Sequence, residues 1–186
     1  MTNNLSLLQN FKNSDFYKDP FPHVIIHDAL PQSVYEKLIN AAPLNLIPDR
    51  SLDNVRGNIY LNQLENNLEN KMFFDFLNYH SSNEYYEEFI SIFKDQLNDR
   101  YPNLIETTRK LIKKNQFFKS GSDNFKKKNF MTFNSSYAYN TPVKSSNIVT
   151  GAHLDHFDKI NFGLYYLRLD EDRSEGGDLV IYKWKD

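Results

Sequence analysis

Apolar positions along this chain change their spacing near residue 116, and that change divides the elements it predicts. Upstream they recur in steps of three and four, the period of one helix face. Val34, Leu38, Ile39 and Ala42 predict a helix that Pro31-Gln32-Ser33 opens and Pro43 closes. Leu64, Leu68, Met72 and Phe76 predict a second, ending near His80-Ser81-Ser82. Tyr86, Phe89, Ile90, Phe93 and Leu97 predict a third, stopped at Pro102, and Leu104, Leu111 and Ile112 suit a short helix over 103–114. Before these helices, Phe21-Pro22-His23-Val24-Ile25-Ile26-His27-Asp28 reads as a short β-branched strand. Residues 44–62, rich in Asn, Asp and Pro, read as loop.

Downstream the text turns strand-like over Met131 to Tyr139, Asn147 to Leu154, Asn161 to Leu169 and Asp178 to Trp184. Turn chemistry separates these runs: Asn140-Thr141-Pro142, then Asp155 to Lys159, then Glu175-Gly176-Gly177. Helices first and strands second predict an α+β fold, with helices packed on one side of an antiparallel sheet. The length suits one domain over 1–186, mainly helical through 115 and β from 116 onward.

Composition narrows the function classes. A net charge of −2 supplies no global attraction to nucleic acid or to an anionic membrane. The basic run Lys126-Lys127-Lys128 suits a solvated hairpin or loop. The absence of cysteine rules out disulfides, zinc–thiolate sites and thiol nucleophiles. No apolar stretch approaches the ~20 residues of a membrane helix. Met1 to Asn13 lacks the basic-then-apolar design of a signal peptide, so a cytoplasmic protein is expected. Aromatic residues reach 15%, a proportion that suits sheets and ligand pockets.

The chemistry concentrates in Gly151-Ala152-His153-Leu154-Asp155-His156-Phe157-Asp158-Lys159. On extended backbone, residues two apart point to the same side, so His153 and Asp155 can turn an imidazole and a carboxylate toward one point. Two His and one carboxylate form the facial triad of non-haem Fe(II) oxygenases, which leaves open positions for a co-substrate and O2. A lone His-x-Asp tripeptide is common by chance in a chain this rich in Asp. His156/Asp158 is an overlapping second candidate, and a polar turn whose carboxylates satisfy backbone donors is the plain alternative.

More of the sequence follows the same order. Phe162-Gly163-Leu164-Tyr165-Tyr166-Leu167-Arg168 precedes an acidic stretch from Asp170 to Ser174, and then Gly176-Gly177-Asp178-Leu179-Val180-Ile181-Tyr182. Near the start, Asp19-Pro20-Phe21-Pro22-His23 leads to Ala29-Leu30-Pro31 and a helix. In these features the chain resembles the prolyl-hydroxylase-like 2-oxoglutarate- and Fe(II)-dependent oxygenases, over about residues 16–43 and 131–184. The glycine pair also has a structural account, a tight turn between strands.

The resemblance implies a hydroxylase fold in which helices pack on a jelly roll, a double-stranded β-helix, of which 116–186 would be the first half. It implies His153 and Asp155 as ligands of Fe(II), since the small Ala152 before the motif and Lys159 after it favour the first pair. It implies Tyr166, the second Tyr of a Tyr-Tyr-Leu strand, and Tyr139 as contacts of the co-substrate 2-oxoglutarate. The substrate would be a small molecule or a protein side chain. The family's second metal-binding His and its co-substrate Arg lie on later strands, and no His follows His156 here. A chain truncated before that His is therefore expected, with unpaired strand edges open to self-association. Two other readings stay open: a catalytically inactive jelly-roll module for binding or assembly, and a cupin-like metal protein.

Overall fold

The computed structural model describes residues 4–113, 117–119, 131–145, 151–153, 155, 159–168, 173, 175 and 179–183. Among the described residues, five α-helices and six short strands make a mixed α+β fold. Among the described residues no helix is long and apolar enough to cross a membrane.

The first helix, α1 (Gln32–Asn40), starts where the Pro31 carbonyl accepts the amides of Val34 and Tyr35 at 2.9 and 3.0 Å. Val34 and Leu38, one turn apart, are its buried side chains. The predicted helix through Leu64 and Leu68 does not run unbroken. A single turn, α2 (Leu61–Leu64), gives way to a turn over 65–67 and a 3-10 turn at Leu68–Asn70 before α3 (Lys71–His80). The reason is local: Asn67 turns its side chain back to accept the Glu69 amide at 3.1 Å, a bond that competes with helix continuation. Leu68, on the expected apolar face, is 88% exposed. The buried face of α3 is instead Phe73, Phe76, Leu77 and Tyr79.

The fourth helix, α4 (Asn83–Arg100), is capped by Ser82, whose hydroxyl accepts the Tyr85 amide at 3.3 Å. It buries Tyr86, Phe89 and Ile90, as its periodicity predicts. Helix α5 (Leu104–Lys113) packs beside it through Ile105 and Thr108, with the Thr108 hydroxyl bonded to that of Tyr86. Outside, Arg109 grips Glu87 with two parallel bonds, Nε to Oε1 at 3.0 Å and a terminal nitrogen to Oε2 at 2.5 Å.

The strands pair in twos. β1 (Phe16–Tyr17) and β2 (His23–Val24) form an antiparallel pair. β3 (Arg56–Tyr60) lies in a stretch whose composition reads as loop, yet it forms a ladder with β6 (Ser136–Asn140), from Arg56 opposite Asn140 to Tyr60 opposite Ser136. The alternation in 56–60 is too short to stand out, and its partner lies some eighty residues away. β4 (Phe117–Lys119) and β5 (Met131–Phe133) pair in parallel. Among the described residues the ladders stay two-stranded.

The predicted strands over 147–154, 161–169 and 178–184 are described in part, as 151–153, 161–168 and 179–183, and these residues belong to no ladder. A strand needs a neighbour to satisfy its amides and carbonyls, and side chains hold the middle segment instead. Tyr165 and Leu167 pack onto the core while Leu164 and Tyr166 are exposed, a two-residue alternation without a ladder. The Tyr35 hydroxyl, from α1, donates to the Arg168 carbonyl at 2.9 Å.

Two clusters make the core. The larger joins Leu30, Val34, Leu38, Ile59, Leu64, Phe73, Phe76 and Leu77. The smaller is Tyr86, Phe89, Ile90 and Ile105, against which Met131, Phe133 and Ile160 pack.

Candidate functional site

His153 and Asp155 lie outside regular secondary structure, so side-chain chemistry must orient the pair. His153 Nδ1 is 2.8 Å from the Gly151 carbonyl oxygen. A carbonyl can only accept, so Nδ1 donates to it, and Nε2 takes no part in that bond. That second nitrogen lies 3.9 Å from Asp155 Oδ1. The two side chains thus lie close together, without a strand to align them. Both face solvent, with the histidine side chain 59% and the aspartate 36% exposed.

A third charge completes the local arrangement. Lys159 Nζ is 3.4 Å from the same Asp155 Oδ1 and 5.0 Å from the centre of the Phe162 ring. The carboxylate oxygen therefore has both an imidazole nitrogen and an ammonium within 4 Å. Lys159 entered the sequence reading as part of the resemblance; the convergence of its ammonium on this oxygen has no signal in the spacing.

Whether a divalent ion fits these donors can be tested on the distances. Nitrogen and oxygen ligands lie about 2.1 Å from a first-row divalent ion, so two ligands at right angles are roughly 3.0 Å apart. The 3.9 Å separation is wider, and exposed rotamers can close it. Donor chemistry fits too, since an imidazole oriented by a hydrogen bond at Nδ1 and a carboxylate are ligand types that suit Fe(II). Among the described residues, no third His, Asp or Glu joins them in a group able to hold a metal. His156, Asp158, Gly176, Gly177 and Lys126 to Lys128 lie outside the described residues.

The two tyrosines have separate surroundings. Tyr139 lies on β6 opposite Gly57 of β3, and its ring covers the glycine so closely that an added Cβ would collide with it. An aromatic ring laid across a cross-strand glycine shields backbone that the missing side chain leaves bare. Gly57→Ala should displace that ring and cost about 1–2 kcal/mol by overpacking. A urea denaturation midpoint would register the loss, and Gly57→Ala with Tyr139→Ala together should cost less than the two separate losses added. Additive costs would show that the two residues do not meet.

Tyr166 is 61% exposed. Its neighbour Tyr165 points inward, 6.0 Å from the Phe76 ring, and burial pushes its phenol up to about 12, with Tyr35 and Asp28 adding to the rise. Tyr165 therefore stays protonated at any ordinary pH. Among the described residues, no hydrogen bond or ion pair joins Tyr139 or Tyr166 to His153 or Asp155.

A polar cluster away from this pair escapes sequence reading altogether. His80, the last residue of α3, accepts the Leu7 amide at Nε2 (3.3 Å), and its Nδ1 donates to the Phe76 carbonyl (2.8 Å). Phe76 and Tyr85 lie at ring distances of 4.2 and 4.5 Å. Alongside, Glu88 accepts from the Tyr79 hydroxyl at 2.5 Å and from the buried Ser6 hydroxyl. These bonds tie residues 6–8 to α3 and α4. A single His at a helix end carries no pattern that would reveal it.

The described structure is thus an α+β protein with a solvent-facing imidazole–carboxylate pair. Comparisons of the chain with protein-family models, with curated proteins and with solved structures find no match.

Proposed function

We propose that this chain is a 2-oxoglutarate- and Fe(II)-dependent oxygenase of the prolyl-hydroxylase-like kind, with His153 and Asp155 as two of its iron ligands. The observation that carries the reading is the paired orientation: Nδ1 held on the Gly151 carbonyl, with Nε2 aimed toward Asp155 Oδ1. A plain polar turn does not need an imidazole with its second nitrogen turned toward a carboxylate. The resemblance in motif order supports the same reading.

On this reading the β-rich part belongs to a jelly roll, and His153 and Asp155 supply the imidazole and the carboxylate of its metal site. Two protein ligands hold a divalent ion loosely, because affinity grows with ligand number and preformed geometry. Bound iron with 2-oxoglutarate and O2 would supply the oxidation of a C–H bond to an alcohol, with release of succinate and CO2. The chain's own part is positional. The Gly151 carbonyl orients the histidine ring, Asp155 contributes negative charge, and Tyr166 offers a directional hydroxyl to a co-substrate carboxylate. Tyr165 and Leu167, seated on the core, keep the Tyr166 segment in place. The substrate is a small molecule or a protein side chain.

Titration of the full chain with Mn(II), a paramagnetic stand-in for Fe(II), tests the proposal. Binding should tighten when 2-oxoglutarate is present, and His153→Ala should weaken it more than about tenfold, as loss of one of few ligands does. Mn(II) binding indifferent both to His153→Ala and to 2-oxoglutarate would favour an inert binding module instead.

A further inference from the structure

We propose that Lys159 is a resident counter-cation of the His153–Asp155 pair, and that a divalent ion binds by displacing its ammonium from Asp155. This inference rests on the metal-binding reading of the pair.

The argument begins at one atom. Asp155 Oδ1 faces His153 Nε2 at 3.9 Å and Lys159 Nζ at 3.4 Å. A metal held by the pair would need that oxygen, or its partner on the same carboxylate. The ammonium offsets the charge of the carboxylate, so the three side chains together present no net negative charge. A dication approaching them gains little from long-range attraction and meets a like charge within a few ångströms.

Displacement is feasible because the ion pair is a surface one, with the lysine side chain 45% exposed. Surface pairs of this kind are weak, and ions in solution screen them. The ammonium also has a second contact close by. It already lies 5.0 Å from the centre of the Phe162 ring, within the range of a cation–π interaction. A small rotation of the long side chain can therefore release the carboxylate without stranding the charge. Lys159 would then set how readily the site loads, and would make loading sensitive to ionic strength.

Mn(II) titration of the full chain, followed by its paramagnetic resonance signal, separates the possibilities. Lys159→Gln should bind Mn(II) about five- to twentyfold more tightly than the parent, with the gain largest at low ionic strength. Lys159→Arg, which keeps the charge, should stay within about twofold of the parent. Circular dichroism should be the same for all three proteins. If the parent binds Mn(II) through His153 but Lys159→Gln gains nothing, the counter-cation role is overturned and the metal reading stands. If neither protein binds Mn(II), or if Asp155→Asn leaves binding unchanged, both proposals fail together.

Discussion

Acidification from about pH 6.5 to about pH 4 should remove roughly 3 kcal/mol of stability through His80 alone. Burial pushes this imidazole down to about 4, against the Phe76 carbonyl, which favours the protonated ring. The folded-state value is depressed, so the unfolded chain takes up the proton first as pH falls. The contribution of neutral His80 is therefore complete above the unfolded value of 6.5 and drains away as pH drops toward 4. The geometry explains the cost. Nε2 accepts the Leu7 amide, so a proton placed there turns an acceptor into a second donor facing a donor. The groups around the ring are Phe76, Tyr79 and Tyr85, with Glu88 beyond them bonded to Tyr79 and Ser6. Urea denaturation at a series of pH values should show the decline in the parent protein and a flatter profile in His80→Phe. Parallel profiles for the two proteins would refute the assignment. Amide exchange at Leu7 and Leu8 should quicken as the ring is protonated, since the tie between residues 6–8 and α3 is lost.

A second large effect is expected at Phe76. Its ring is 5% exposed and meets Phe73 at 6.0 Å, His80 at 4.2 Å and Tyr165 at 6.0 Å. One side chain thus supports the main core, the buried histidine and the segment that carries Tyr166. Phe76→Ala leaves a cavity among groups that cannot collapse freely, at an expected cost of about 3–5 kcal/mol. Phe76→Leu keeps most of the volume and should cost about 1.5 kcal/mol or less. Equilibrium denaturation measures both. In the Ala variant the pH dependence assigned to His80 should also shrink, because water reaching the ring restores its ordinary basicity. A cost below about 1 kcal/mol for Phe76→Ala would show that this ring is not the keystone of the packing.

Much of the helical half is legible in the sequence because its signals are local. Val34 and Leu38, or Tyr86, Phe89 and Ile90, recur at a helix's own period, and Pro43 and Pro102 mark ends that no tertiary contact needs to supply. The stretch around Leu68 misleads for an equally local reason. Apolar spacing continues across it, while the Asn67 side chain captures the backbone bond that the helix would use. His153 and Asp155 are legible as a candidate pair because they stand two residues apart, and the structure sets their side chains 3.9 Å apart outside any strand.

The sequence by itself determined the helices around Val34–Leu38, Tyr86–Ile90 and Leu104–Ile112, and set a histidine two residues from an aspartate. Only the tertiary structure decided that Arg56–Tyr60 becomes a strand, that His80 is buried against Leu7, that Tyr165 rather than Tyr166 turns inward, and that Lys159 shares an oxygen of Asp155 with His153. Helix formation answers to neighbours three or four residues away. Strand pairing and burial are settled by which distant surfaces meet, and amino-acid order carries that information only through the completed fold.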